Sequence, residues 1–381
     1  MAMNRRQFNV GLGALGLSGC SNAGFGGNSS IASSGLPDDL RPVQNAGYNA
    51  WSAEFQQRAL RQGFSQNLLT AAFAGAGYLP GVVKRDRNQV EFKRSLEDYL
   101  SIAVSDERVS KGRAAYASHK STLSAIERAY GVSAYIVAAI WGLESFYGER
   151  RGSVPVISAT STLAYDGRRG AFFEKQLIAA LKILKNGDTT SDNMTGSWAG
   201  AMGHTQFIPT SYLEFAVDFT KDGRRDIWSN DPSDALASTA AYLSRNGWKN
   251  GVRWGNEVVG NASSGSVIQP QPGGPKFAVT ANFKVIKRYN NSDSYAIGVG
   301  HLADRIAGGP PLRSSFPPDA NGMTKDDRVA LQQGLTANGF DTGGSDGVVG
   351  PKTRQAISAF QQSRGLEATG EPSLALLRLL N

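Results

Sequence analysis

The segment 136–150, IVAAIWGLESFYGER, is a run of apolar residues with an acid in its interior. Apolar residues recur there at i, i+4, i+7 and i+11, which predicts a helix with one apolar face. The recurring residues are Ile136, Ile140, Leu143 and Tyr147. Ser133 is placed to cap the start of this helix, and Gly148 is placed to end it. Glu144 follows Ile140 by four residues, so we expect it to lean toward the apolar face.

An acid in such a position needs a partner or a task, because acids are almost never buried without one. Burial disfavours a carboxylate and raises the pKa of a carboxyl group, which is how a protein makes a general acid. Glu144 is therefore a candidate catalytic acid. The alternative from the local pattern is that Glu144 forms a surface ion pair with Arg150 or Arg151.

The composition indicates an ordinary globular protein, with 40% hydrophobic and 19% charged residues, and 381 residues suffice for two or three domains. The formal charge of +8 favours an anionic partner such as a nucleic acid, a membrane surface or an anionic cell-wall polymer. No run dense in Lys and Arg and no known motif supports nucleic-acid binding. The single cysteine excludes an intrachain disulfide. The three histidines are far apart, so we predict solvated or core histidines and no zinc site.

The N-terminus is typical of an export signal. Arg5 and Arg6 precede a short Gly-rich apolar stretch that is far too short to span a bilayer. The stretch ends in residues 17–20, LSGC, which resemble a bacterial lipobox, so Cys20 is the predicted site of lipidation; an unmodified thiol is the alternative. Export by the twin-arginine route or the general route stays open. Ser21 follows the cysteine, and a serine at that position resembles the sorting signal that sends lipoproteins to the outer membrane.

From about residue 38 to 186 the chain is predicted to be mainly helical. Residues 187–310 are predicted to combine helices with Gly/Asn loops, and within them 255–280 is predicted to be irregular. A Pro-rich linker is followed by a tail with its own helical periodicity. The predicted organisation is an export signal over 1–20, a flexible tether over 21–37, a large domain over 38–310, a linker over 311–322 and a separate small domain over 323–381.

The segment 197–212, SWAGAMGHTQFIPTSY, is the second candidate for a site. Its small residues allow a ligand to approach the backbone closely. Ser197 and Gln206 supply hydrogen bonds of the kind that a sugar needs. A purely structural Gly-rich loop is the alternative.

The segment 218–234 places oxygen ligands at the spacing of an EF-hand loop, with Gly223 at its sixth position. The predicted calcium ligands are Asp218, Thr220, Asp222 and the carbonyl of Arg224, with Asp226 at position 9 and Asp234 reaching in from further along the chain. Ser229 stands where a bidentate Glu is usual, and Lys221 adds a positive charge. A plain Asp/Gly turn is the alternative.

Taken in order along the chain, these motifs resemble the membrane-bound lytic murein transglycosylase B family, glycoside hydrolase family 103, over about residues 38–308. The tail resembles the small three-helix peptidoglycan-binding domain of many cell-wall enzymes. The resemblance implies a mainly α (α+β) fold, with a lysozyme-like catalytic region, an EF-hand-like loop subdomain and a three-helix C-terminal domain. The chain departs from the family pattern at Lys221 and in two extra residues before the Asp-Pro turn at 231–232, and both departures are unfavourable for a calcium loop.

The resemblance also implies site residues. Its active-site motif matches residues 140–145, IWGLES, and puts the catalytic acid on Glu144. The residues implied at the saccharide are Tyr99, Ser197, Gln206, Phe207, Tyr242, Tyr289, Asn290 and Tyr295. From the residues alone, a core position is the preferred explanation of the tyrosines near 289–295.

The implied activity is lytic transglycosylation of the bond between N-acetylmuramic acid and N-acetylglucosamine, giving 1,6-anhydromuramyl ends. Glycoside hydrolysis usually needs two carboxylates, whereas this reaction needs one. The alternatives are a lysozyme-type hydrolase and a non-enzymatic lipoprotein that tethers the cell wall. No cofactor is required, and the segment from Asp218 to Asp234 is a candidate site for a structural calcium ion. The expected partners are peptidoglycan strands, other cell-wall enzymes and a membrane, which the lipid anchor would bind. The protein is expected to be a monomer. Its expected location is the periplasm, anchored at the outer membrane.

Overall fold

The computed structural model describes residues 35–88, 94–260 and 266–380. The export signal, Cys20 and most of the tether lie outside the described residues. The described chain forms two compact units, one of residues up to 88 and 114–250, the other of residues 94–113 and 251–380. Helices dominate both, which confirms the mainly α prediction.

In chain order, the helices are α1 (Ala46–Arg61), α2 (Gln66–Phe73), α3 (Pro80–Arg87), α4 (Leu96–Ala103), α5 (Asp106–Ser118), α6 (Lys120–Tyr130), α7 (Ala134–Ser145), α8 (Val156–Asp166), α9 (Gly170–Asn186), α10 (Pro209–Phe215), α11 (Ser233–Arg245), α12 (Ala281–Tyr289), α13 (Asp293–Ile306), α14 (Lys325–Ala337), α15 (Pro351–Ser363) and α16 (Leu374–Leu380). The strands are β1 (Val154–Pro155), β2 (Thr195–Gly196), β3 (Gly255–Val258), β4 (Ser266–Ile268) and β5 (Lys276–Val279).

Helix α7 is the central helix of the first unit, and all of its residues but Tyr135 and Glu144 are buried. It packs against α6 and α11, because its sequence is apolar on nearly every side. Ser133 does precede the helix, but its side chain makes no capping hydrogen bond.

The end of α7 differs from the prediction. The helix stops at Ser145 because Phe146 and Tyr147 adopt left-handed backbone conformations, with φ of 52° and 59°. The Tyr147 ring then folds back onto Gly142, where a Cβ atom would lie 2.5 Å from it. Tyr147 therefore belongs to the turn after the helix and not to its apolar face.

Helices α8 and α9 form the other large packing pair of the first unit. The short antiparallel pair β1–β2 joins the start of α8 to the chain before residue 197, with Val154 opposite Gly196. This pairing fixes where the Gly-rich segment leaves the helical core.

The second unit contains a three-stranded antiparallel sheet in the order β3–β5–β4, with Gly255 opposite Val279. The prediction of irregular structure over 255–280 was therefore wrong. The strands are only three or four residues long and have mixed burial, so they give little period-two signal.

Helices α12 and α13 pack on each other, and α13 also packs on α4 in this unit. Two glycines of α13 admit aromatic rings that a side chain would exclude. A Cβ on Gly298 would lie 2.8 Å from the Tyr99 ring, and one on Gly300 would clash with the Trp254 ring.

The C-terminal tail forms three helices, α14–α16, around a core of its own. Thr324 and Asp327 form a capping box at the start of α14. Arg328 is 3% exposed and donates to Glu97 at 2.6 Å and to Asp319 at 3.0 Å. The tail is thus joined to α4 through a buried charge cluster.

No single described helix is both long and apolar enough to cross a membrane; α6 and α7 meet that condition only as a pair, with a bend of 115° between them.

Candidate active site

Glu144 occupies the last turn of α7, where the chain leaves the helical core of the first unit. Its side chain is half-buried, whereas its neighbours Leu143 and Ser145 are buried. The helix places the carboxyl group at the boundary between core and solvent. A carboxyl group there is shielded from water on one side and open to a substrate on the other, as a general acid requires.

Ser145 bonds α7 to the Gly-rich segment 197–207, which is named the catalytic loop after its predicted role. The Ser145 hydroxyl donates to the carbonyl oxygen of His204 at 2.5 Å and accepts from the backbone N–H of Gly148 at 3.0 Å. Both bonds are made at the residue adjacent to Glu144. They hold the helix end and the strained turn after it in one geometry.

His204 connects three parts of the first unit from within the core, where it is 3% exposed. Its Nδ1 accepts from Trp141 Nε1 at 3.1 Å, and its Nε2–H donates to the carbonyl oxygen of Ser229 at 2.7 Å. Its backbone N–H donates to the carbonyl oxygen of Ile227 at 3.1 Å. These partners fix one neutral tautomer of the ring.

Burial lowers the pKa of His204 to about 4, and the Ser229 carbonyl only partly opposes that effect. The imidazole is therefore neutral at neutral pH. It serves as a hydrogen-bonding connector that holds α7, the catalytic loop and the chain around residue 228 together.

The catalytic loop is closed on itself by backbone pairing between Met202 and Phe207. Gly203 has a φ of 69°, and a side chain there would meet the backbone of Ile227. Gln206 also has a left-handed backbone, with φ of 53°. Its Nε2 donates to the carbonyl oxygens of Arg151 and Gly203, both at 2.9 Å. The amide therefore has a fixed orientation, in which its oxygen is the remaining acceptor.

Three more predicted residues lie on or beside this loop. The Ser197 hydroxyl is half-buried and accepts from the backbone N–H of Ala201 at 3.1 Å. Phe207 is fully buried, and its ring centroid lies 6.1 Å from that of Tyr242, which is 5% exposed. In this structure both rings are buried in the core of the first unit. Their contact with saccharide stays a prediction.

The two arginines of the alternative explanation are both engaged elsewhere. The Arg150 guanidinium lies 4.4 Å from the Phe146 ring centroid. Arg151 donates to the carbonyl oxygens of Trp228 and Ser229 at 3.0 and 2.6 Å. Arg151 thus reinforces the same connection that His204 makes.

The remaining predicted saccharide residues belong to the second unit. Tyr289 ends α12 and is 4% exposed, Asn290 is half-buried in the turn that follows, and Tyr295 is 5% exposed in α13. Tyr99 is half-buried in α4 and packs on Gly298. All four belong to the α4–α12–α13 packing, and their role at the saccharide stays a prediction.

The acidic loop, defined as residues 218–234, brings three predicted metal ligands together. Carboxylate oxygens of Asp218, Asp222 and Asp234 all lie within 4.8 Å of one another. Asp234 is 2% exposed, and it accepts from the backbone N–H groups of Phe219, Thr220 and Asp226 at 2.8–3.0 Å. Burial raises the pKa of Asp234, against these hydrogen bonds.

Within the described residues, no basic side chain forms an ion pair with any of these three carboxylates. Lys221 is exposed and has a left-handed backbone, with φ of 62°. Three carboxylates this close repel one another unless a cation lies among them. The donor set therefore fits a hard divalent cation. The Thr220 hydroxyl is exposed and donates to Asp218 at 3.4 Å; its role and that of the Arg224 carbonyl stay predictions.

Sequence reasoning did not find Ser145, His204 and Arg151 as parts of the site. The sequence predicts His204 only as a solvated or core histidine. The available signal was its place inside the Gly-rich segment, since a histidine there needs partners for both ring nitrogens when it is buried.

A mainly helical unit in which one half-buried glutamate lies in the last turn of a buried helix, beside a Gly-rich loop, is typical of lysozyme-like, glycan-cleaving enzymes. The transglycosylase SLT domain model matches residues 47–271 and 260–304, more than half of the chain, and a peptidoglycan binding domain model matches residues 324–380. The chain therefore belongs to the transglycosylase SLT family and is an enzyme of the lytic transglycosylase class.

Individual relatives agree with this assignment. Membrane-bound lytic murein transglycosylase B of Escherichia coli (strain K12) is 29% identical over 242 residues, which are 55% of this chain and 66% of that protein. SltB3 of Pseudomonas aeruginosa, in complex with NAG-anhNAM-pentapeptide, is 42% identical with a TM-score of 0.69, over 88% of this chain and 100% of that one. Escherichia coli Slt35 in complex with calcium is 25% identical with a TM-score of 0.60, over 71% and 97%.

Proposed function

We propose that the protein is a lytic transglycosylase that cleaves peptidoglycan between N-acetylmuramic acid and N-acetylglucosamine and leaves 1,6-anhydromuramyl ends. The observation that carries the proposal is the placement of Glu144, half-buried at the end of a buried helix and next to a residue bonded to the catalytic loop. The relative SltB3 has been crystallised with NAG-anhNAM-pentapeptide, a ligand of this type.

The proposed reaction uses Glu144 twice. Its carboxyl group first donates a proton to the glycosidic oxygen, and the bond from that oxygen to the muramyl C1 breaks. The carboxylate then accepts the proton of the muramyl 6-hydroxyl as this oxygen attacks C1. The attack is intramolecular, so it gains several kcal/mol over attack by a free water molecule.

The acids of α7 and of the catalytic loop support a reaction that uses one carboxyl group. Glu144 is the only acid of α7, and the catalytic loop contains none. The Gln206 amide oxygen and the Ser197 hydroxyl are the polar groups that this loop offers to a sugar. A lysozyme-type hydrolase would need a second carboxylate to activate water.

Mass spectrometry of digested cell wall tests the proposal. Anhydromuramyl ends support it, whereas reducing muramyl ends would establish the hydrolase. An absence of cleavage, with wall binding retained, would establish the non-enzymatic tethering alternative.

We also propose that the acidic loop binds calcium, with Asp218, Asp222 and Asp234 as its carboxylate ligands. The support is their convergence within 4.8 Å and the calcium complex of the relative Slt35. When bound, the ion supplies positive charge among three acids. The proposal gives calcium no part in the proton transfers at Glu144.

For location, we propose action in the periplasm with a lipid anchor on Cys20, at the outer membrane. The support is the LSGC motif and the membrane-bound relative. Metabolic labelling with a fatty acid should mark the wild type and not Cys20→Ala, and the Ala variant should leave the membrane fraction. Labelling of that variant would contradict the anchor.

We propose that the tail, residues 323–381, raises the local concentration of wall substrate. Deleting 321–381 should weaken binding to insoluble wall and preserve cleavage of soluble glycan fragments. Loss of the second activity would show that the tail contributes to the catalytic site.

A further inference from the structure

The short segment at 151 and 152 contacts the catalytic loop near both of its ends. A Cβ atom on Gly152 would lie 2.2 Å from the carbonyl oxygen of Gly196 and 2.7 Å from the backbone nitrogen of Ser197, so the chain passes directly against the start of the loop. The carbonyl oxygen of Arg151 accepts from Gln206 Nε2 at 2.9 Å, close to the end of the loop. The position of this segment therefore affects the whole loop.

The Arg151 side chain holds the segment from its other side. Its Nη1 donates to the carbonyl oxygens of Trp228 and Ser229 at 3.0 and 2.6 Å, and its Nη2 donates to Asn230 Oδ1 at 3.1 Å. A guanidinium is planar and its donors form a rigid fork, so three acceptors define its orientation. These bonds therefore fix the backbone at 151 against residues 228–230.

None of the partners of this guanidinium is an acid. Each acceptor is a neutral carbonyl or amide oxygen, and Arg151 forms no ion pair with any described residue. The His204 ring, whose Nε2 lies 3.1 Å from Nη1, is neutral as well. By contrast, the half-buried Arg225 of the same unit pairs with Asp188 at 2.6 Å. The bonds of Arg151 thus fix an orientation and do not neutralise a charge.

The carbonyl oxygen at 151 helps to decide which way the Gln206 amide faces. Gln206 Nε2 lies 2.9 Å from this oxygen and 2.9 Å from the carbonyl oxygen of Gly203. A rotation of the amide by 180° would put Oε1 against two other acceptors, which is unfavourable. Gly203 belongs to the loop itself, whereas Arg151 is 55 residues away and ties the amide to the rest of the fold.

We propose that Arg151 is a positioning residue for substrate binding, which acts through its carbonyl oxygen on the Gln206 amide. With the guanidinium fixed at 228–230, the amide oxygen faces the glycan as an acceptor for an N–H or O–H group of a sugar. This inference rests on the proposed function, which assigns the Gln206 amide to the sugar. The role differs from that of Ser145, whose bonds lie beside the reacting Glu144.

The test measures binding separately from cleavage. Glu144→Gln serves as the non-cleaving host, and a peptide-free tetrasaccharide of alternating N-acetylglucosamine and N-acetylmuramic acid is titrated into it by calorimetry. In this host, Arg151→Met should raise the Kd about tenfold, which is the effect of about one hydrogen bond. Arg151→Lys should restore only part of the affinity, because one ammonium group does not reproduce the fork.

Steady-state kinetics with Glu144 intact should show a matching division between the two constants. Arg151→Met should raise KM about tenfold on soluble glycan fragments and lower kcat less than about threefold. Arg128→Gln is the matched control, since it removes an equal charge from an exposed position of α6 in the same unit. It should change neither constant.

A double-mutant cycle separates positioning from a merely structural role. Gln206→Ala alone should weaken binding of the tetrasaccharide, and Arg151→Met should weaken it no further in that variant, because its effect passes through the amide. A structural role would weaken binding by the same factor in both backgrounds.

Asn230→Ala is a milder variant that removes one acceptor of the guanidinium from an exposed residue. It should raise the Kd about two- to threefold, with the same dependence on Gln206. If circular dichroism shows that Arg151→Met does not fold, the cycle of Asn230→Ala with Gln206→Ala decides the question.

Equal factors in the two Gln206 backgrounds, or an unchanged Kd in Arg151→Met and Asn230→Ala, would overturn the positioning role. Full restoration by Arg151→Lys would overturn it too, because charge alone would then suffice. Each of these results leaves the proposed function intact if the wild type forms anhydromuramyl ends. A wild type that forms reducing ends, with the cycle as expected, would contradict only the proposed function.

Discussion

The catalytic loop and the acidic loop lie close together in the first unit, but they are held in different ways. The catalytic loop is held by neutral groups: the Ser145 hydroxyl, the His204 imidazole and the Gln206 amide, each bonded to protein. The acidic loop is held by carboxylates that accept backbone N–H groups and lie within 4.8 Å of one another. The first arrangement is complete without a ligand, whereas the second favours a cation.

This difference between the two loops indicates which of them a bound cation would stabilise. The two loops meet where His204 bonds to the carbonyl oxygens of Ile227 and Ser229. Asp226 holds the adjacent N–H groups of Trp228 and Ser229 at 2.8 and 3.0 Å. A cation should therefore stabilise the acidic loop first and affect catalysis only through this contact. Four predictions test that separation, from the largest effect to the smallest.

Glu144→Gln should abolish wall cleavage, because one carboxyl group serves as acid and base and each role is worth about 10²–10⁴ in rate. The fold, wall binding and the thermal response to calcium should stay unchanged. Quantifying anhydromuramyl ends by mass spectrometry measures the loss. Residual activity above about 1% of wild type would mean that another group provides the acid.

Ser145→Ala should lower kcat about tenfold with little change in KM, since it removes both bonds that fix the chain beside Glu144. Ser133→Ala is the matched control at the other end of the same helix, where the hydroxyl makes no capping bond. Steady-state kinetics on soluble glycan fragments give both constants. If the two variants behave alike, the bond to His204 does not position Glu144.

The free energy of unfolding should depend on pH in a way that shows whether the native His204 ring is neutral. The unfolded imidazole binds a proton below its ordinary pKa of 6.5, and the native one does so only below about 4. Stability should therefore fall as the pH drops through this interval, by up to about 3 kcal/mol from this residue.

His204→Gln should flatten that fall, as measured by urea unfolding at a series of pH values. Part of the slope should remain, because burial also lowers the pKa of His301 to about 4. An unchanged slope in His204→Gln would show that the native ring takes up a proton at its ordinary pKa.

Calcium should raise the melting temperature modestly, with little effect on the rate. A ligand present at its Kd adds only about 0.4 kcal/mol, and Ser229 replaces the usual bidentate Glu. Thermal unfolding with calcium, magnesium and EDTA measures the shift, and Asp222→Ala should remove it. An equal response in that variant would leave the acidic loop as an ordinary Asp/Gly turn.

The sequence was sufficient for features that depend on local spacing. The apolar periodicity that starts at Ile136 predicted α7, and the helical periodicity of the tail predicted helices after the Pro-rich linker. The Asp spacing, together with Asp234, predicted carboxylates that the structure does bring together. Such patterns are readable because the period of a helix or the geometry of a short loop constrains residues that are near in sequence.

Features that depend on distant residues were decided by the tertiary structure. Ser145 and His204 are 59 residues apart, and no local pattern links them. The left-handed conformations of Phe146 and Tyr147 are unfavourable for residues with side chains, and Tyr147 is placed by packing against Gly142. The short strands β3–β5 likewise depend on partners that only the folded chain supplies. The sequence by itself predicted Glu144 as the catalytic acid, and the tertiary structure decided how that residue is held, because the required hydrogen bonds and ring contacts join segments that meet only after folding.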